Sequence, residues 1–223
     1  MLFIFLSACA GLRTDNEKQP TITAGNKPAI NLSAIQTNTW VKIFDGETLK
    51  GWVPLEKTKF DMGSKVDVKD GNLLLAEGKP YSALIWGGTF PTVNYEVRLR
   101  AKRVAGDDIF CGLLFPVDDS SCSLILGGWQ NSVTGLSSVD EMFAVDNNTA
   151  NYIEFDNNKW YKARLRVTEE SIRVWLDGKE IIRQPRKDHR ITPYPGLELF
   201  EPFGLFTYCT SASVSEIYFK MLE

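Results

Sequence analysis

The chain has 223 residues, with 25 Lys and Arg against 28 Asp and Glu for a net charge of −3. Its 43% hydrophobic and 24% charged residues are an ordinary globular make-up, which excludes disordered and fibrous classes, and the acidic surplus argues against a nucleic-acid partner. One His and 4 Cys leave little material for a zinc site or a His-based dyad, while 12% aromatic residues point to a β-rich core.

The chain opens on an apolar run, Met1-Leu2-Phe3-Ile4-Phe5-Leu6, followed by Ser7-Ala8-Cys9. The run is far shorter than the roughly 20 residues that span a bilayer, and it suits the apolar part of a secretory signal. Leu6-Ser7-Ala8-Cys9 resembles a bacterial lipobox, in which the Cys thiol is acylated, although no Lys or Arg precedes the run. The expectation is a signal segment over 1–9, lipidation at Cys9, and an exported protein held at the bacterial cell envelope by a membrane anchor. Residues 10–39 carry no sustained period and are expected to be a flexible tether. The compact domain is expected over 40–223.

From Trp40 onward the dominant signal is alternation. In 94–103, Tyr95, Val97, Leu99 and Ala101 share one face while Glu96, Arg98, Arg100 and Lys102 share the other. In 160–168, Tyr161, Ala163, Leu165 and Val167 alternate with Lys162, Arg164 and Arg166, and near the end Ile217, Phe219 and Met221 alternate with Glu216, Tyr218 and Lys220. This period of two marks antiparallel strands with one buried and one solvated face. Asp70-Gly71 and Asp177-Gly178 fall between such runs and predict two-residue hairpin turns, which need positive φ at both central positions. The more continuously apolar runs 109–115 and 122–126 predict central strands covered on both faces. With 40–44, 84–86 and 204–208 the count reaches about ten or more strands and predicts an all-β, two-sheet antiparallel sandwich.

The cysteines test that layout. A turn at Asp118-Asp119 sets Cys122 opposite Phe115 and leaves Cys111 about four residues further along, ~13 Å away at ~3.4 Å per residue. That is too far for a disulfide, so buried free thiols are expected, with the state of Cys209 left open.

Phe44-Asp45-Gly46-Glu47-Thr48-Leu49-Lys50-Gly51-Trp52 resembles the opening motif of the 3-keto-disaccharide hydrolase-like family. The likeness continues through Asp70-Gly71-Asn72-Leu73-Leu74, Tyr95-Glu96-Val97-Arg98-Leu99, Trp160-Tyr161-Lys162-Ala163-Arg164 and Val174-Trp175-Leu176-Asp177-Gly178. It closes on Gly204-Leu205 and Glu216-Ile217-Tyr218-Phe219. The resemblance implies a concanavalin A-like jelly-roll and lyase or hydratase activity on 3-keto-glycosides. The chain departs from the family pattern at Ala101, at Cys122-Ser123-Leu124-Ile125-Leu126 and at Phe206-Thr207-Tyr208, where polar groups are usual. The middle block, from Phe115-Pro116 through Gly127-Gly128-Trp129 to Gly135-Leu136-Ser137-Ser138, resembles a laminin G-like variant of the same fold.

Three functions stay open: an enzyme on a glycan, a non-catalytic laminin G-like module that binds glycan or protein, and a structural envelope lipoprotein. Glycoside cleavage needs two carboxyl groups roughly 5–10 Å apart, and the candidate pair is Asp140 and Glu141, next to the Gly- and Ser-rich stretch 127–138. Acidic loop residues are also ordinary turn formers. An oligo- or polysaccharide partner would need a ring-stacking face and planar polar groups, which Trp129, Gln130 and Asn131 offer, with Trp86 beside Gly87-Gly88 as a second place. The competing reading makes those Trp residues core packing. His189 reads as a solvated loop residue. No cofactor is expected; calcium would call on Asp140, Asp146 and Asn147, whose spacing fits no recognised loop.

Overall fold

The computed structural model of the chain describes residues 30–55 and 65–223. Among the described residues the strands, in chain order, are β1 (Val41–Lys42), β2 (Trp52–Pro54), β3 (Val66–Lys69), β4 (Asn72–Leu75), β5 (Tyr81–Trp86), β6 (Tyr95–Ala105) and β7 (Cys111–Val117). They continue with β8 (Ser120–Gly127), β9 (Val133–Ser137), β10 (Tyr161–Val167), β11 (Ser171–Leu176), β12 (Lys179–Pro185), β13 (Gly204–Tyr208) and β14 (Ser211–Met221). The first sheet runs β12-β11-β10-β6-β14-β4-β3, with β1 also on β14; the second runs β2-β5-β13-β7-β8-β9. All pairings are antiparallel, and the two sheets pack face to face as a jelly-roll sandwich. No helix among the described residues is long and apolar enough to cross a membrane.

The alternation translates directly into the core. Tyr95, Val97, Leu99, Ala101, Tyr161, Ala163, Leu165, Val167, Ile217 and Phe219 are all buried between the sheets, against Leu113, Phe115, Leu124 and Leu205 of the second sheet. Phe90 and Phe203 stack at 4.4 Å in this layer. Both predicted Asp-Gly turns form, with φ of 51° and 78° at Asp70-Gly71 and 48° and 86° at Asp177-Gly178. Phe115 faces Cys122 and Cys111 faces Leu126, so Cys111 and Cys122 are separate buried thiols; Cys209 is free and exposed.

The Phe44-to-Trp52 motif is a device of the fold. Asp45 accepts from the Glu47 and Thr48 amides and from the Thr48 hydroxyl, so one carboxylate closes the turn. Gly46 sits at φ 90°, and at Gly51 (φ 84°) a side chain would meet the Trp86 ring at 3.0 Å. Trp52 is buried and donates from Nε1 to the Ile43 carbonyl.

Two expectations are corrected. The compact domain does not start near Trp40: a short 3-10 turn, Leu32–Ala34, puts Leu32 at 0% exposure in the main core, with Ile30 and Ile35 packed beside it. Those apolar side chains are what a solvated tether lacks. Glu96, on the face expected to be solvated, is 0% exposed, because Arg166 of β10 and Lys220 of β14 close over it as ion pairs. The runs 109–115 and 122–126 are covered on both faces as expected, because the outer face of the second sheet is sealed: Leu114, Ile125 and Phe206 are buried under Leu197, Phe200 and Ala144.

Candidate functional site

The residues singled out from the sequence do not meet in one place. Trp129, Gln130 and Asn131 form the turn between β8 and β9, at left-handed φ of 50°, 57° and 65°. Such conformations cost non-glycine residues roughly 1–2 kcal/mol each. Asp108 holds the turn by accepting from the Gln130 amide, and its own carboxyl is pushed up by burial against the pull of the Ile109, Gln130 and Trp129 amides. Trp129 is 37% exposed. The Asn131 amide is not free for a ligand, since it donates to the Phe155 carbonyl and accepts from the Phe155 amide. Gln130, Ser132, Tyr152 and Glu154 line a shallow depression of about 200 Å³ beside it.

Asp140 and Glu141 lie beyond the other end of β9, whose five residues alone span roughly 16 Å at ~3.3 Å each. At φ of 53° and 65°, they are the two central residues of a tight hairpin closed by Val139 and Met142. The Asp140 carboxylate accepts from the Arg190 amide and pairs with His189 Nδ1 at 2.7 Å, while Glu141 pairs with Arg190. The His189 hydrogen bond, with the Arg190 amide, holds Asp140 below the usual carboxylate range, the opposite of what a general acid needs. Trp86, offered as a ligand platform, is 1% exposed and packs edge-on against Trp52 at 5.4 Å, so no ring face is left. Of the three oxygen ligands considered for calcium, Asn147 is engaged within the fold: its amide donates to the Leu136, Met142 and Phe143 carbonyls and accepts from the Thr149 amide. No three His, Cys, Asp or Glu side chains converge among the described residues. Cys9 lies outside the described residues.

A different surface has the features of a site. The outer face of the first sheet carries a depression of about 450 Å³ between β6, β10, β11 and β14, lined by Arg98, Arg100, Lys162, Arg164, Trp175 and Tyr218 among others. Strand register builds it. Arg98 stands directly opposite Arg164 on one side and Tyr218 on the other, Arg164 opposite Trp175, and Arg100 opposite Lys162. Cross-strand neighbours on one face lie close enough to interact, and like charges placed so are destabilising.

Aromatic rings partly relieve this crowding. The Arg164 guanidinium lies 3.8 Å from the Trp175 ring centre, and Arg173 lies 4.7 Å from the same ring. Arg98 sits 4.3 Å from Trp40 and 4.7 Å from Tyr218, and Arg100 sits 5.0 Å from Trp160. Cation–π contacts of this kind contribute roughly 0.5–1 kcal/mol at exposed sites. Three carboxylates on the face are spoken for: Glu96 by Arg166 and Lys220, Glu180 by Arg173 and Arg183, Glu216 by Arg100 at 2.9 Å. Among the described residues no carboxylate pairs with Arg98, Lys162 or Arg164.

Glu216 is the single carboxylate lining this depression among the described residues. It is there because β14 bulges between Ser215 and Tyr218, with Glu216 at φ 53°. Bulges of this kind re-aim a side chain and are common beside functional sites. The sequence held the signal for this surface, namely outward cations on adjacent strands with Trp160 and Trp175 between them, but the cations alone read as a solvated face.

Comparison with known proteins agrees with this architecture. The pattern of the 3-keto-alpha-glucoside-1,2-lyase-like domain matches residues 39–198. Among curated proteins there is no match. A Bacillus subtilis protein of unknown function with a galectin-like fold is similar at TM-score 0.57 and 11% identity, covering 83% of this chain and 96% of that one. A structure from work on endo-acting O-glycanases that prominent members of the human gut microbiota express to initiate mucin breakdown is similar at TM-score 0.55 and 12% identity, covering 84% and 100%. At these identities the likeness is one of fold.

Proposed function

The chain belongs to the 3-keto-alpha-glucoside-1,2-lyase-like family, and from that premise we propose that it handles a saccharide on the outer face of its first sheet. The observation that carries the reading is the depression of about 450 Å³ lined by guanidinium groups and aromatic rings, open on the outer face of the first sheet among the described residues. Guanidinium N–H groups in fixed forks suit planar or paired oxygen acceptors. Retention on an immobilised panel of oligosaccharides tests the placement. Arg98→Glu should weaken retention at least about tenfold, while Trp129→Ala should leave it within about twofold. The reverse pattern would move the site to the β8–β9 turn.

A lyase reading of the same surface rests on Glu216. In a 3-keto-glycoside the C2 proton is acidic because it lies next to the C3 ketone. A carboxylate that removes it lets the C2–H electrons form the C1–C2 double bond as the C1–O bond breaks, and the departing oxygen takes a proton from water. One base suffices for this elimination, whereas hydrolysis by the two-carboxyl route needs a second group. Release of the aglycone from a 3-keto-glucoside, lost in Glu216→Gln with binding retained, would support catalysis; no release by the parent protein leaves a binding module. Export and anchoring through Cys9 at the cell envelope complete the proposal, on the support of the Leu6-Ser7-Ala8-Cys9 sequence.

A further inference from the structure

Resting on the saccharide reading above, we infer that the outer face of the first sheet selects acidic saccharides, those carrying carboxylate or sulfate groups, over neutral ones. Two observations converge on charge. Arg98, Lys162 and Arg164 have no carboxylate partner among the described residues, although Arg98 and Arg164 oppose each other across β6 and β10. The chain as a whole is acidic at −3, so this cluster is a local concentration of cations. A folded protein gains nothing in stability from opposing two unneutralised guanidinium groups; an anionic ligand seated between them would turn the repulsion into two attractions.

The second observation concerns which surfaces are left open. A neutral sugar gains most from a bare aromatic face, but the rings here are already occupied. Trp175 is covered by Arg164 and Arg173, and Trp40 by Arg98 and Lys220 at 4.3 and 4.7 Å. What the depression offers instead is guanidinium N–H edges. The Arg100 Nε–H, shielded from solvent, has no hydrogen-bond acceptor among the described residues. Arginine forks bind carboxylate and sulfate-like oxyanions through paired, charge-assisted hydrogen bonds. Stacking on Trp175 fixes the plane of Arg164 and lowers the entropy lost when such bonds form.

Titration of the full chain with four probes tests this: oligogalacturonate, the same oligomer with its carboxyl groups reduced, a sulfated glycosaminoglycan fragment, and a single-stranded oligonucleotide. The expected result is that one or both acidic saccharides bind at least about tenfold tighter than the reduced oligomer. The preference of oligogalacturonate over the sulfated fragment, or the reverse, identifies which oxyanion is read. Raising the salt from ~0.05 to ~0.5 M should erode most of that advantage, because screening acts on the charged component alone. Arg98→Gln with Arg164→Gln should abolish the difference while the thermal melt stays within a few degrees of the parent. Should that double variant not fold, the comparison between the acid and its reduced form decides without it. Equal binding of acidic and reduced oligomers would overturn charge selection and leave the saccharide site standing. Binding of no saccharide would overturn the saccharide reading itself. An oligonucleotide bound as tightly as the acidic saccharides would make the face a general polyanion surface and overturn the inference.

Discussion

Glu96→Gln offers a sharp test of the outer face, because it changes one charge and almost no volume. Glu96 is fully buried with Arg166 and Lys220 on either side, the Lys220 ammonium at 3.3 Å. At an effective dielectric of about 20, a pair at that distance attracts by roughly 5 kcal/mol. Desolvation of the carboxylate opposes this by several kcal/mol. Removing one partner of a fully buried pair costs about 3–5 kcal/mol, but Arg166 and Lys220 keep 30% and 16% of their side-chain surface and can turn to water. The expected loss is therefore about 2 kcal/mol, or a Tm lower by roughly 4–8 °C for a chain of this size. Thermal unfolding followed by circular dichroism at neutral pH and low salt measures it. A melt within about 1 °C of the parent, or a higher one, would refute the reasoning and mean that desolvation outweighs both ion pairs.

Leu165→Ala should cost about 2–5 kcal/mol, since Leu165 is buried between Val97 and Val174, while Arg164→Ala, one residue away on the open face, should cost about 1 or less in chemical denaturation. Glu180 is held down to about 2, against 4.5 unperturbed, by hydrogen bonds from Arg183 and then Arg173. A depressed carboxyl stabilises the fold above its unfolded value and loses that contribution on protonation. Stability should therefore fall as pH drops from 4.5 toward 2, and Glu180→Gln should flatten that part of the profile. Cys9→Ser should release the expressed protein from membranes, because firm anchoring needs more than one acyl chain; an unmodified Met1 start in the intact mass of membrane-bound protein would count against lipidation.

The strands were legible because alternation is a local property: Tyr95, Val97, Leu99 and Ala101 declare a face whatever lies above it. The Asp-Gly turns and the Cys122–Phe115 register were legible for the same reason. What alternation cannot state is what covers each face. Glu96 reads as solvated until Arg166, seventy residues later, is seen to fold over it. Ile125 and Phe206 read as odd replacements for polar groups until Leu197 and Phe200 are found closing that side. Trp86 looked like a platform because two glycines follow it, yet the glycine that matters is Gly51, which makes room for its ring. Asp140 and Glu141 read as a carboxylate pair, and backbone geometry uses them as a hairpin turn. The candidate surface itself was present as Arg98, Arg100, Lys162 and Arg164, but only cross-strand register reveals that they crowd together.

The bulge at Glu216 can be considered as an insertion. Ser215 pairs with Arg100 and Tyr218 with Arg98, so two residues of β14 span the interval that Leu99 alone spans on β6. Were Glu216 deleted, Ser215, Ile217 and Tyr218 would alternate outward, inward, outward without interruption. Ile217 would keep its place in the core, and the ladder would become regular. The sandwich thus has no need of this residue; the uninterrupted strand is the simpler solution, and it would spare a glutamate the left-handed backbone. A single-codon difference at this point would separate chains that share the same fold but differ in whether a carboxylate stands over the basic face.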